Sequence, residues 1–341
     1  MLNFRKSIIW LSLIFALLLQ VMESFGREQK TGPIKLKVLY TPFLSQAPLF
    51  IAEAEGYFAD QELQINFIRM GRSTAAIPAL VQGDLDILAG DLNIGLLNAM
   101  ARKARIRFVA EKGHINPIGC VSQFGFLVRR DLVEGGRLNS PAQLKGLRIA
   151  VSRASPSEYF VEKLLNPVGL TIDDVTLVDM LTSTYPDALE KKTIDAACAS
   201  EPWITRAIES GHTVLWRSSQ QVIPNFQRAF IVYGPNLIDQ TPELGRRFMI
   251  AYLKAVKQYN QGKTERNLQI VSKYTELDQE FLRRACWPSF HNDGKINIEG
   301  LLDFQTWALK KGLLDKMVSP NQFWEPSYIE YANKVLNKLT K

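Results

Sequence analysis

Three stretches of the chain are rich in groups that can hold an anion: Arg72-Ser73-Thr74, Ser152-Arg153-Ala154-Ser155-Pro156-Ser157 and Thr182-Ser183-Thr184. A hydroxyl donates one hydrogen bond to an oxyanion, and a guanidinium donates a fork of them to a sulfonate, carboxylate or nitrate. Each stretch follows a short apolar run and precedes a segment of helical periodicity, which puts it at a helix start with free backbone N–H groups. Ser73, Thr74, Ser155 and Ser157 are therefore helix-cap candidates, and a cap that faces a cleft also touches its ligand. Asp91 is read as the cap of the helix over Leu92–Arg102. Arg228 precedes another apolar run, Ala229–Tyr233. Phe43, Phe124, Phe126, Tyr185, Trp203 and Phe226 fall beside these loops and offer an aromatic wall. Glu201, ahead of Pro202-Trp203, either complements the dipole of its own helix or binds a cationic part of the ligand.

No set of groups able to break bonds accompanies them. His114, His212 and His291 are isolated, and the chain has no Gly-x-Ser-x-Gly, no His-Glu-x-x-His and no phosphate loop. The expectation is a binding protein with no catalytic residue, no metal and no cofactor. Cys120, Cys198 and Cys286 are far apart and lack Cys-x-x-Cys spacing, which excludes a standard zinc site and a dense disulfide framework. Three buried thiols are expected, and one bridge remains open.

The elements that must position these residues are written twice. Leu80–Asp91 and Leu189–Ser200, 109 residues apart, both read as helix end, tight turn, Asp and short buried strand. Upstream of each copy stand a strand (Leu36–Tyr40; Leu147–Val151), a helix ending near Gly56 or Gly169, and a second strand (Leu63–Arg69; Val175–Met180). Two similar α/β lobes follow, with a cleft between them. In open α/β sheets ligands lie beyond the carboxyl ends of the strands. Those ends carry Pro42–Ala47, Gly71–Thr74, Gly90–Leu92, Ser152–Ser157, Leu181–Tyr185 and Ser200–Trp203. Six helix starts facing one gap would favour an anion by about 0.3–1 kcal/mol each when exposed. Phe124–Arg129 and Arg228–Tyr233 read as two crossings between the lobes. After Pro242 the chain is read as mostly helical, covering mainly the first lobe.

A chain of 341 residues is long for one core, which suits two domains. Arg5 and Lys6 precede an apolar run from Ile8 to Leu19, the pattern of a secretory signal peptide, with cleavage expected near Gly26. Cleavage there takes the formal charge from +7 to +6, a mildly basic surface that helps recruit anions. No basic run interleaved with aromatics appears, so nucleic acid is not an expected partner.

The chain resembles the periplasmic solute-binding proteins of ABC transporters for nitrate, alkanesulfonates, taurine and thiamine-pyrimidine precursors. The stretches that carry the likeness are Ala47-Pro48-Leu49-Phe50-Ile51-Ala52 with Glu55-Gly56-Tyr57-Phe58, and Ala79-Leu80 through Gly83-Asp84-Leu85-Asp86-Ile87. Further on they are Leu144–Ala150, Asp174-Val175, Ile194-Asp195-Ala196 and Glu201-Pro202-Trp203. The likeness covers Leu36 to Tyr259. It implies an α/β, two-lobed type II periplasmic-binding fold with a hinged cleft and a helical C-terminal region. The lobes are expected at 34–126 with 229–341, and at 127–228. Cleft contacts carried over by position are Ser45, Gln46, Ala47, Arg72, Ser73, Thr74, Asp91, Ser152, Ser155, Ser157, Thr182 and Glu201; the residue reading adds Phe126, Arg153, Tyr185, Trp203 and Arg228. Lys191-Lys192-Thr193 departs from the Gly-containing turn common in the family.

The function so implied is an exported, monomeric receptor that closes on a small anion, sulfonate- or nitrate-like, and delivers it to an ABC permease. The alternatives are a binder of a pyrimidine precursor, a pyrimidine-synthase-like enzyme on the same fold, and a sensory ligand-binding domain.

Overall fold

Each copy of the repeated segment is organised by its aspartate. Asp86 Oδ2 accepts the backbone N–H of Lys37 at 2.8 Å, and Asp195 Oδ2 accepts that of Arg148 at 2.9 Å. Lys37 lies in strand β1 (Ile34–Tyr40) and Arg148 opens β6 (Arg148–Val151). The spare carboxylate positions take Asn236 Nδ2 on Asp86, and the guanidinium groups of Arg129 and Arg148 on Asp195. Burial would raise the Asp195 carboxyl, but the two arginines hold it below the usual carboxylate range. These bonds fix the third strand of each copy beside the first. Val38 pairs Ile87 in parallel, and Ile149 pairs Ala196 in the same way.

The structure, a computed structural model, describes residues 32–115, 120 and 123–339; the expected leader, residues 1–26, lies outside them. Lys35–Lys341 make up one compact unit. The remaining strands are β2 (Leu63–Arg69), β3 (Ile87–Asp91), β4 (Arg107–Glu111), β5 (Phe124–Arg129), β7 (Thr176–Asp179), β8 (Ala196–Ser200), β9 (Thr213–Ser218) and β10 (Ala229–Tyr233). They form two five-stranded sheets, ordered β2-β1-β3-β10-β4 and β7-β6-β8-β5-β9. The second order is the first with each strand replaced by its counterpart. In each sheet the strand contributed by a crossing, β10 or β5, runs antiparallel to both neighbours and carries a bulge against the edge strand. Both crossing strands are buried along their whole length, which is why they read as apolar runs without alternation.

The helices that begin at the carboxyl ends of the strands include α1 (Ala47–Ala54), α2 (Ile94–Ala101) and α3 (Pro156–Leu165). Ser155 caps α3 as its type suggests, accepting from Ser157 N–H at 3.1 Å. Asp91 does not cap α2. Pairing of Asp91 with Ala229 prolongs β3, and the cap passes to Asn93, whose Oδ1 accepts from Leu96 N–H at 3.0 Å. Ser73 and Thr74 make no cap bond either, because the chain enters helix Ile77–Gln82 through a 3-10 turn over Ser73–Ala76. The loop after β7 likewise begins with a 3-10 turn, Thr182–Thr184, so the expected row of six helix dipoles is shorter in fact.

The tail is helical as expected. α4 (Pro242–Tyr259) lays Phe248, Met249, Tyr252, Leu253 and Val256 into the first lobe, each fully buried side chain contributing about 1.5–3 kcal/mol. α5 (Ile298–Lys310) instead packs on α3 of the second lobe, with Phe304 edge-on to Tyr159 at 5.5 Å and Trp307 Nε1 donating to Glu162 Oε2 at 3.1 Å. α6 (Ser327–Leu339) returns to the first lobe against α4, where Tyr328 Oη donates to Leu237 O. The tail thus spans both lobes. The cysteines also differ from the three-thiol expectation: Cys120 and Cys286 are bridged, and Cys198 is free and buried.

The departure at Lys192 has a backbone consequence. Gly83 in the first copy has φ +84°, and Lys192 at the same place in the second has φ +55°. A left-handed conformation costs an L-residue roughly 1–2 kcal/mol, whereas glycine adopts it freely. The Lys192 side chain reaches Asp131 at 3.2 Å, a pair half open to solvent and worth little. Lys192→Gly is expected to raise stability by about 0.5–1 kcal/mol in urea melts; a loss of stability would refute the strain.

Candidate functional site

The loops at the carboxyl ends of both sheets meet across a cavity. On one side of it stand Thr41, Phe43, Arg72, Ser73, Thr74 and Asn93; on the other Ser152, Ser155, Ser157, Met180, Thr182 and Cys198, around a space of about 620 Å³. A second chamber of about 410 Å³ is lined by Phe43, Ser45, Lys112, His114, Gln123, Phe124, Glu201 and Phe226. Asp91, Ser200 and Arg228 line both, so they form the partition.

Arg228 makes that partition. It arrives just ahead of β10, where the chain returns to the first lobe. One guanidinium nitrogen bonds Asp91 Oδ2 at 2.5 Å, another bonds Ser200 Oγ, and the plane lies 4.3 Å over the Phe124 ring. Asp91 ends a strand of the first sheet and Ser200 one of the second, so one side chain ties the lobes together. Its Nε is buried and has no acceptor among the described residues.

Gly90 permits the close approach of the Ser73 turn to β3. A Cβ at Gly90 would stand 2.7 Å from Ser73 Cβ and 2.5 Å from Leu88 Cδ2. Further contacts across the gap include Arg72 to Asp179 at 3.0 Å, Ile94 N–H to Ala154 O at 3.2 Å, and Leu44 N–H to Glu201 O at 3.3 Å.

Lys112 is the residue that sequence reasoning missed. It follows β4, it is completely buried, and its Nζ bonds Ser45 Oγ at 2.6 Å. Burial pushes the ammonium down to about 8; the Asp91 carboxylate favours the charge and Arg228 opposes it. Arg228 is bonded to Asp91 and Arg72 to Asp179, which leaves Lys112 as the cavity cation without a carboxylate bonded to it. The rule that ligands lie beyond strand ends applied to β4 as well as to its neighbours, and that was the available signal.

Among the residues expected to bind, Ser45, Arg72, Ser73, Thr74, Asp91, Ser152, Ser155, Ser157, Thr182, Glu201 and Arg228 are gathered around the two chambers. The others are elsewhere. Gln46 is buried behind the wall, donating to Thr41 Oγ1 and Ala89 O, and Ala47 lies in the first-lobe core. Phe126 shares a face of its strand with Phe124 but lies further along it in the core, and only Phe124, at the strand end, reaches the cavity; Tyr185 is fully buried in the second lobe, with Oη 3.5 Å from Met180 O. Arg153 turns to solvent and pairs with Glu158 at 3.3 Å. Trp203 belongs to an outer aromatic recess with Tyr40, Phe50 and Tyr274. Of the aromatic wall, Phe43, Phe124 and Phe226 remain. Glu201 is buried, which raises its carboxyl, against bonds from Cys286 N–H and Thr205 that lower it. Its partners are structural on both sides, as in the dipole-and-cap reading. Cys198 lines the cavity, but burial pushes its thiol up, away from the reactive thiolate.

Two mixed α/β lobes with a polar cavity between their strand ends define the periplasmic-binding type of fold. The chain belongs to the NMT1/THI5-like family, whose model matches residues 44–261. A relative in Brucella abortus, named as a binding protein without a stated ligand, is 28% identical over 214 residues; the match spans 58% of this chain and 66% of that protein's length. The structure is similar to a ligand-binding component of an ABC-type import system from Staphylococcus aureus with zinc bound (TM-score 0.73, 17% identity, 88% of this chain and 99% of that one). It is also similar to the alkanesulfonate-binding protein from Xanthomonas axonopodis pv. citri bound to MOPS (0.69, 16%, 86% and 99%). The nitrate-binding protein of Synechocystis PCC 6803 gives 0.71 at 13% identity, covering 89% of each chain. The fold also carries an enzyme, the desulfurization enzyme DSZB (0.64, 15%, 89% of this chain and 99% of that one). At these identities the likeness establishes the fold.

The sign of the Lys112 effect on stability is fixed by the direction of its shift. The unfolded chain holds this proton up to about 10.4, the folded one to about 8, so between these values the unfolded state binds more protons and stability rises with pH. Below pH 8 the full penalty of the buried charge is present. Lys112→Met is therefore expected to stabilise the ligand-free protein by on the order of 1–3 kcal/mol at pH 7 and to flatten the rise above pH 8. Chemical melts at pH 7 and pH 9.5 measure both, and a variant less stable than wild type at pH 7 would contradict the buried-charge reading.

Proposed function

We propose that this chain is the solute receptor of an ABC importer and that it closes on a small organic monoanion, of which a sulfonate is the leading class. One observation carries the reading. Among the described residues, the interlobe cavity holds a buried ammonium with no bonded carboxylate and a buried guanidinium N–H with no acceptor. A single negative group would answer both. The hydroxyls of Ser73, Thr74, Ser152, Ser157 and Thr182 surround the larger chamber, across the Arg228 partition from Lys112, and suit polar atoms of the rest of the solute. Phe43, Phe124 and Phe226 offer a short apolar contact for an organic tail. A micromolar receptor needs about 8 kcal/mol in total, within reach of a few charge-assisted bonds of ~1.5–3 kcal/mol each and some apolar burial. The named sulfonate and nitrate binders of the same fold support the ligand class.

No turnover is expected. Among the described residues the cavity combines hydroxyls, a raised thiol and paired carboxylates, and the one amine on a hydroxyl, Lys112 on Ser45 Oγ, is an ammonium below pH 8 and donates that bond, with no lone pair to take the hydroxyl proton. Lobe limits are proposed at 34–126 with 229–341 and at 127–228, although β5 itself begins at Phe124. Export to the periplasm and a permease partner complete the proposal. The Cys120–Cys286 bridge suits an oxidising compartment, and among the described residues no helix is long and apolar enough to cross a membrane.

Mass spectrometry of small molecules released on denaturing the purified protein identifies what it carries, and calorimetric titration with alkanesulfonates, nitrate and a pyrimidine then ranks the classes. The expected result is a sulfonate-type monoanion bound at micromolar or tighter Kd, weakened at least tenfold in Lys112→Met and less in Arg72→Ala. Affinity should be constant below pH 8 and fall above it by up to tenfold per unit, as Lys112 loses its proton. A preference for a neutral or cationic solute, or an affinity indifferent to Lys112→Met, would overturn the anion reading.

A further inference from the structure

His114 and His291, isolated in the sequence, stand together in the fold. Their rings are stacked at 3.8 Å between centroids and 12° between planes, and both turn Nδ1 toward one carboxylate. Glu111 Oε2 is 3.0 Å from His114 Nδ1, and Glu111 Oε1 is 3.2 Å from His291 Nδ1. We propose that Glu111, His114 and His291 form a binding site for one divalent cation of the zinc type, which borders the smaller chamber at His114.

The donor set is the first argument. Two imidazoles and a carboxylate suit zinc and its late first-row neighbours, with the remaining position left to water. Spacing is the second. Bonds of about 2.0–2.2 Å in tetrahedral geometry set donors roughly 3.3 Å apart, and the nitrogen–oxygen separations here are 3.0 and 3.2 Å. All three donor atoms lie within 4.8 Å of one another. Support from the surroundings is the third. Glu111 is buried at the end of β4, its carbonyl accepts from Tyr252 Oη at 2.8 Å, and its carboxylate takes Gln227 Nε2 at 2.5 Å as well as the His291 N–H. Gln227 is fixed in turn by Asn297 N–H at 2.7 Å, and bridges to Gln227 and Ser289 hold the His114 backbone. Such outer contacts orient a carboxylate ligand and keep it from swinging away.

Access and adjustment fall to His291. Its side chain is 52% exposed against 15% for His114 and 1% for Glu111, and it borders an open recess with Asn225, Gln227 and Asn297. In the stacked arrangement the two Nδ1 lone pairs run side by side. An ion placed in the plane of both rings requires His291 to splay from the stack, and each neutral ring then binds through its Nδ1 lone pair with its one proton on Nε2. Glu111 and Lys112 are adjacent residues, so the cation site and the buried ammonium lie back to back on the same strand end.

The test uses the full chain, stripped with EDTA and titrated with ZnCl2 alone by calorimetry. One equivalent is expected at micromolar or tighter Kd, weakened at least tenfold in His291→Ala and unchanged in His212→Ala, whose imidazole stands apart near Glu190. His291→Ala should melt with the metal-free wild type. If that variant does not fold, side-chain nitrogen NMR of the wild type decides: one equivalent of zinc should shift two of the three imidazoles and leave the third. No zinc binding by the wild type, equal affinity in His291→Ala, or a shift confined to His212 would overturn the site.

Discussion

The structure depends on one guanidinium. Arg228 sits where the chain crosses back to the first lobe, and its contacts end a strand in each sheet: Asp91 of β3 and Ser200 of β8. A guanidinium taken this far from water must be matched by a carboxylate, and breaking such a pair from one side costs about 3–5 kcal/mol. That requirement explains several features together. It prolongs β3 through Asp91, displaces the cap of α2 onto Asn93, divides the cavity into two chambers, and places a positive group over the Phe124 ring. Arg228 is thus at once a fastener between lobes and part of the cavity wall.

The duplicated half-sheets explain why every polar loop meets that cavity. β1, β3, β6 and β8 each run in parallel with a neighbour and end on the same side of their sheet, while β10 and β5 enter antiparallel as the crossings. Asp86 and Asp195 hold the register by accepting a backbone N–H of the first strand in each copy. A slip of one residue would move the aspartate off that N–H and turn the buried face outward. The second copy uses Arg129 and Arg148 where the first uses Asn236, which keeps the carboxylate satisfied with different partners.

What the sequence made legible was local or periodic. The repeat, the two crossings, the helical tail and most of the hydroxyl-bearing loops follow from patterns within a dozen residues. What it hid depends on partners far along the chain. Asp91 has the residue type of a helix cap, and only Arg228, 137 positions on, makes it an ion-pair partner instead. Phe126 and Phe124 are indistinguishable by composition and share one face of β5, and only the position of Phe124 at the strand end brings it to the cavity. Lys112 sits among ordinary charged residues until the fold encloses it. Cys120 with Cys286 and His114 with His291 are pairs made by the return of the tail, which no spacing rule reaches. The pattern of misses is therefore physical: residue type sets what a group can do, and a remote partner sets which of those things it does.

The balance across the gap bears on how a receptor of this design responds to its ligand. Arg72 with Asp179 is a half-exposed pair, worth about 0–1 kcal/mol. The backbone bonds from Ile94 to Ala154 and from Leu44 to Glu201 add about 0.5–1.5 kcal/mol each. Against them stands the desolvation of Lys112, whose depressed ammonium corresponds to a penalty of the same few kcal/mol. With Arg228 holding Asp91 and Ser200 as well, the contacts across the gap outweigh that penalty, and a ligand shifts a two-state equilibrium only by its differential affinity for the two states. An anion beside Lys112 would offset that penalty while the bridging bonds remain. A neutral solute would leave the penalty in place and would have to match it with apolar contact from three phenylalanines.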